Sequence, residues 1–382
     1  MQSSPLTKLP MRLLLRLLLP GVAVLFVASC SIRPVAEQKN EASPPTHTAS
    51  KHLVIAAVGD IMLDGSAREI MQEHGYDYAF DKMRPWLQKA DIAFGNLEGP
   101  LTTRGTPAPD KKYLFRSPPT KVATALKDAG FDVVSLANNH SLDYGSDGLA
   151  DTVSALNDAG ILHVGAGENL AIARRAAVLE RNGLKVAFLG YSLTFPEEFW
   201  ATANSAGTVF GYREIVENDI KAARQKADIV VASFHWGQES KTELRPYQVA
   251  LGHAAIDAGA SLVIGHHPHI LQGVERYKNG VILYSMGNFA FGSYSQKAKV
   301  SALAEVEFDG DNLTQVRLQP INVFNVDVLF QPQPLSGEAA ANVISQLQEL
   351  SLKQATKLEK VQDTALLDLP GDVQTAANTK NR

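Results

Sequence analysis

Apolar runs of strand length recur along this chain, and each gives way to a short polar segment. Residues 53–58 form one such run and lead into Gly59-Asp60, and residues 92–94 lead into Gly95-Asn96. Residues 133–137 run into Asn138, residues 229–234 into His235, residues 262–264 into Gly265-His266, and residues 281–285 precede Gly287-Asn288. Residues 120–129, 148–159, 212–226 and 247–258 carry apolar positions at helical spacing. Residues 176–181 and 184–191, split by Asn182-Gly183, predict a hairpin with a tight two-residue turn. Strands that are apolar throughout and alternate with amphipathic helices predict an α/β fold whose sheets are covered on both faces. Open α/β sheets bind ligands beyond the C-terminal ends of their strands, which is where these polar segments fall.

After about residue 300 the pattern changes. Residues 301–308 and 313–318 read as paired strands around the turn signal Asp309-Gly310-Asp311, completing the same domain. Residues 338–359 have helical spacing at Val343, Leu347, Leu350 and Leu358, and the polar last twenty or so residues read as disordered. The expected organisation is a domain over 52–335, then a C-terminal helix and tail over 336–382.

The first residues do not belong to that fold. Lys8, Arg12 and Arg16 precede an apolar run over 13–27, and Val27-Ala28-Ser29-Cys30 closes it with small residues. This is the pattern of a secretory signal over 1–29, and its ending resembles a bacterial lipobox, which makes Cys30 the lipidated first residue. Residues 30–51 then read as a flexible tether. Cys30 is the chain's single cysteine, so the exported body holds no disulfide. Ser31 after the cysteine resembles sorting to the outer membrane, facing the periplasm. Losing the three basic residues of the leader leaves 33 against 40 acidic ones, a formal −7. An acidic body is repelled by anionic headgroups, so the membrane is reached through the lipid anchor. That charge also argues against a nucleic-acid partner.

The polar segments carry the chemistry. They are Gly59-Asp60, Gly95-Asn96-Leu97-Glu98, Asn138-Asn139-His140, His235-Trp236-Gly237, Gly265-His266-His267-Pro268-His269 and Gly287-Asn288. Five of the ten histidines lie in them, three within four positions. Carboxylate, amide oxygen and imidazole together are the donors that hold one or two divalent transition metals, Mn, Fe or Zn. An extended His267-Pro268-His269 would put both imidazoles on one side and His266 on the other, in a supporting or packing role. Trp236 and Tyr191 are expected at the rim of the crevice, and Lys112 and Arg116 near an anionic group. His47, His52, His74, His163 and His253 have no matching context.

These segments, with Asp143, Gly145, Gln272 and Tyr284-Ser285-Met286 before Gly287, resemble the bacterial CapA family of capsule or poly-γ-glutamate biosynthesis proteins over about residues 53–295. The resemblance implies a calcineurin-like metallophosphatase fold, with layered sheets flanked by helices. It makes Asp60 a ligand of the first metal, Glu98 the bridge, and Asn139 a ligand of the second. His235, His267 and His269 complete the two positions. His140 becomes the catalytic imidazole beside the substrate, with Asp143 fixing its tautomer. Two departures stand out: Met62 replaces the histidine of the usual Asp-x-His, and Glu98 replaces an aspartate. The implied function is an envelope-anchored metal-dependent hydrolase, acting on a phosphoester or serving capsule-polymer biosynthesis. A non-catalytic polymer-binding scaffold and an amidase on glutamyl polymers are the alternatives, with the capsule polymer or its synthesis machinery as partner.

Overall fold

The computed structural model describes residues 51–369. The leader, Cys30, most of the tether and the end of the tail lie outside the described residues.

Two sheets stack face to face. The larger has ten strands and is built around His52–Met62. That strand pairs in parallel with Ile92–Leu97 on one side and antiparallel with Val300–Asp309 on the other. Val133–Ser135 and Leu162–Val164 continue the parallel edge. The second sheet has six strands. Its centre is parallel, with Leu184–Ser192, Ile229–His235 and Leu262–His266 side by side. Ala177–Arg181 closes one edge as the expected hairpin, and Asn182 and Gly183 both take the positive φ that its tight turn requires.

Alternation along the strands builds the layers. From Leu184–Ser192, Val186 and Phe188 face the other sheet and meet Ile55, Phe94 and Val306. Their neighbours Ala187, Leu189 and Tyr191 face outward and are covered with residues of Arg213–Arg224 and Pro246–Ala258. On the far side, Val58, Ile61 and Val134 pack with Pro119–Ala129 and Gly145–Asp158. Side chains two apart share a face, so a strand apolar at every position feeds two cores at once.

The C-terminal reading changes in one respect. The last helix runs over Gly337–Leu352 and stops there, so Leu358 is not on it. Residues 359–368 instead form a hairpin that adds to Asn312–Asn322 at the edge of the ten-stranded sheet. Leu358 and Leu367 are buried in the same core as Val343 and Leu347. Among the described residues no helix is long and apolar enough to cross a membrane.

Candidate metal centre

The centre forms where both sheets present their strand ends. Asp60 lies inside its strand, in register with Asn96 on one side and Asn288 on the other. Gly59 makes the second pairing possible. A Cβ there would stand 1.9 Å from the Gly287 carbonyl oxygen, the same oxygen that accepts from the Asp60 backbone N–H at 3.0 Å. Asp60, Glu98 and His235, all buried, bring one ligand atom each to within 4.8 Å of one another. Glu239, His267 and His269 form a second such group. Asn139 joins them, with its Oδ1 2.8 Å from His235 Nε2.

His267 and His269 do not lie on an extended segment. Their φ angles are 93° and 61°, left-handed values that are rare for a residue with a side chain. The chain turns sharply after the Leu262–His266 strand, and the His267 N–H reaches Asp60 Oδ2 at 3.3 Å. The two rings stand 6.0 Å apart, His267 against His235 and His269 with Nδ1 3.2 Å from Asp60 Oδ2. His266 likewise does not turn away. As the last residue of its strand it is fully buried, with Nδ1 3.4 Å from Asp60 Oδ1 and neither ring nitrogen hydrogen-bonded.

Burial and mutual charge shift the groups of the cluster in opposite directions. Burial together with the Asp60 charge pushes the Glu98 carboxyl up to about 8, and neither of its oxygens has a hydrogen-bond partner. Burial works against charge on His269 too, but Glu98 and Asp60 outweigh it and carry that imidazole up to about 9. Burial would also raise Asp60, yet His266 and His269 hold it well below the usual carboxylate range. Burial keeps His235 well below the ordinary histidine value and His267 at about 3, so both rings are neutral at pH 7. A buried carboxyl left without a hydrogen-bond partner costs roughly 1–3 kcal/mol. Two bare Glu98 oxygens and a bare His267 Nδ1, next to neutral imidazoles and an ionised aspartate, fit a divalent cation.

Beside the cluster, His140 Nδ1 stands 2.8 Å from Asp143 Oδ2, and its Nε2 is 3.8 Å from Glu98 Oε1. Asp143 is fully buried and accepts a second bond, from the Phe115 N–H at 2.8 Å. Lys111 completes this arrangement, with its ammonium on Asp143 Oδ1 and on the Asn139 carbonyl. The cation here is therefore Lys111, not Lys112 or Arg116. Lys112 lies over Tyr113 and the Arg116 guanidinium over Tyr144. Trp236 is not at a rim either. It is fully buried, stacked on Phe234, with its indole N–H donated to the Tyr284 carbonyl at 2.9 Å, and Tyr191 is equally buried. Sequence reasoning missed Lys111 and Glu239. Glu239 follows His235 by four positions, the one local hint that it shares the site.

A layered α/β protein with a cluster of metal-type ligands at its strand ends is the class that fold and site define. The family of bacterial capsule synthesis proteins, PGA_cap, matches residues 54–293, a span containing all six polar segments. The capsule biosynthesis protein CapA of Bacillus anthracis is 35% identical over 314 residues, covering 80% of this chain and 75% of that one. The PGA biosynthesis protein CapA of Bacillus subtilis is 32% identical over 283 residues, covering 74% of each. This chain belongs to that family of bacterial capsule synthesis proteins. Among solved structures, the calcineurin-like phosphoesterase YfkN of Bacillus subtilis is 16% identical with a TM-score of 0.43, covering 79% of this chain and 98% of that one. The NAD nucleotidase of Haemophilus influenzae is 11% identical with a TM-score of 0.44, covering 78% and 62%. Likeness at that level transfers no role to any residue here.

Proposed function

We propose that this capsule-family protein is an envelope-anchored, metal-dependent hydrolase of calcineurin-like type, acting on a phosphoester in the making of a capsule or poly-γ-glutamate polymer. One observation carries the reading: the Glu98 carboxyl, buried with neither oxygen hydrogen-bonded, among Asp60, His235, His267 and His269. Asp60, Glu98 and His269 would hold one cation, and Glu98, Asn139, His235 and His267 a second. Bound cations supply Lewis acidity and offset charge that develops on a phosphoryl group.

The chain's own residues then position and move a proton. Asp143 Oδ2 can only accept, and the Lys111 ammonium, 3.0 Å from the same Nδ1, can only donate. We take the shorter Asp143 contact to place the His140 proton on Nδ1, which turns an unprotonated Nε2 toward Glu98. Burial lowers the His140 pKa below its ordinary value although Asp143 works the other way, so the ring is neutral at pH 7. Nε2 would take up a proton from solvent water and pass it to the leaving oxygen, while Asp143 and Lys111 keep the ring from turning. Asp143 steadies the imidazolium that forms.

Met62 favours a second reading. Where the resemblance leads one to expect a histidine, Met62 is a buried thioether whose sulfur lies 3.3 Å from the Asp64 N–H. Such a centre could bind carboxylates of a polymer without turning anything over. Metal analysis of the purified protein, joined to a broad phosphoester screen in Mn²⁺, decides between them. We expect bound Mn, Fe or Zn, a sharp loss of metal in His235→Ala and His267→Ala, and turnover of at least one phosphoester. Full metal content without turnover of any phosphoester or glutamyl amide would leave only the binding role.

A further inference from the structure

A cavity of about 560 Å³ opens beside the metal-ligand cluster, and its wall includes Asn139 and His267. It is therefore continuous with the centre. Phe195 and Phe210 give it an aromatic wall, with Trp200 packed against both. Phe195 is 68% exposed and lies 5.7 Å from Trp200, and Trp200 lies 3.9 Å from Phe210. The Trp200 indole N–H is tied to the Thr194 carbonyl at 2.9 Å, so this wall is anchored to the loop that carries it. Tyr247 stands on another side, its hydroxyl accepting from the Gly237 N–H at 2.8 Å.

Charge in the cavity is as telling as its shape. No lysine or arginine is among its described lining residues, and the single ionisable acid there is Glu239. Lys111, beside the cluster, is already engaged by Asp143. A glutamyl chain carries one carboxylate per residue; one could reach the metal-ligand cluster, but the rest would enter a space whose described lining offers no lysine or arginine and one opposing carboxylate. A flat apolar ring meets ring faces and edges instead, and a volume in this range suits a small planar group.

We infer that this cavity receives the planar aromatic part of the substrate, so that the ester acted on is an aryl or nucleoside phosphoester and not a polyanionic glutamyl chain. This rests on the phosphoester reading above for the reacting group, and on the cavity alone for the ring. Phe195 and Phe210 are then residues that determine specificity, stacking on the leaving or non-reacting portion while the phosphoryl group sits at the cluster.

Equilibrium binding to the full chain in Mn²⁺ tests it without needing turnover. Phenylphosphonate should bind about tenfold or more tighter than methylphosphonate, and quench tryptophan emission, because stacking adds an increment that a methyl group lacks. Phe195→Ala and Phe210→Leu should erase most of that difference while methylphosphonate binds as before. Phe195 is exposed, so its variant keeps the fold even if the Phe210 variant loses it. Adenosine, which has no phosphoryl group, isolates the ring site. Saturable adenosine binding that weakens in Phe195→Ala supports the cavity even where neither phosphonate binds, and in that case the phosphoester reading alone falls. Equal binding of the two phosphonates, a preference that survives both variants, or tighter binding of tri-γ-glutamate than of phenylphosphonate overturns the inference.

Discussion

Asn96 donates a 2.8 Å hydrogen bond from Nδ2 to Asp60 Oδ1, across two parallel strands on which the two residues stand directly opposite each other. Asn96 is itself held, its Oδ1 accepting from Asn138 Nδ2 at 3.2 Å. Asn138 in turn donates to the Leu97 carbonyl at 2.9 Å and takes the His140 N–H on its Oδ1 at 3.1 Å. One amide therefore orients Asp60, and a second ties it to the turn that carries Asn139 and His140.

Asn96→Ala should weaken metal binding without removing a proposed ligand. Outer partners of metal ligands typically contribute 10- to 100-fold in affinity. Leaving Asp60 and Asn138 each short of a partner should also lower stability by roughly 1–3 kcal/mol. Mn²⁺ titration and urea unfolding of the variant measure the two effects. Unchanged metal affinity would show that Asp60 needs no such support.

Stripping the metal should reveal a pH slope. In the metal-free chain Glu98 is held up to about 8 and His269 up to about 9, both above their unfolded values. Between about pH 6.5 and 8 the folded chain therefore keeps protons that the unfolded chain has released, so stability falls as pH rises, by of order 1 kcal/mol per pH unit. Below about 6.5 the slope reverses, because His235 and His267 are held low and protonate first in the unfolded chain. Metal binding expels the protons and should make the stability it adds grow with pH. Urea midpoints in chelator and in Mn²⁺ across that window measure both slopes. A flat midpoint in chelator would mean that Glu98 and His269 titrate as ordinary groups.

The layers and the strand-end segments were legible because both follow from local pattern. An apolar run of strand length ending in a polar turn needs no knowledge of its neighbours. What was not legible depends on the path of the chain in space. The direction of His266 is not local: an extended backbone would turn it away from the site, whereas His267 takes a φ of 93°. Trp236 reads as a rim residue in the sequence, but the Tyr284 carbonyl that accepts its indole N–H arrives from the segment after Gly280–Leu283, far along the chain. Lys111 sits in a loop with no periodicity, and only the fold brings it to Asp143. Leu358 matched a helical period by coincidence, while the pairing of residues 359–368 with the sheet is non-local.

The proposed lipid anchor is tested at Cys30, which follows the apolar run over 13–27 and the small residues Ala28-Ser29. Wild-type protein should incorporate a fatty-acid analogue and sediment with membranes. Cys30→Ala should take up none and remain uncleaved or mislocalised. Wild-type protein found unlipidated in the soluble periplasm would remove the lipoprotein reading and leave the metal centre untouched.

The proton role of His140 is the most exposed claim, because a residue beside a metal cluster can matter in several ways. If Nε2 hands a proton to the leaving oxygen, His140→Ala should lower kcat roughly a hundredfold or more while metal content stays near wild type. The loss should shrink for esters with good leaving groups, which depart without a proton. Asp143→Asn should give a smaller loss with the same dependence, since it removes the acceptor that fixes the Nδ1 proton while keeping the shape. A residue that merely supports the metal behaves differently, because its loss lowers metal content and slows all esters alike. Measuring kcat over a series of leaving groups, with metal content determined on the same samples, separates the two. A uniform loss across that series would reassign His140 from proton transfer to holding the centre together.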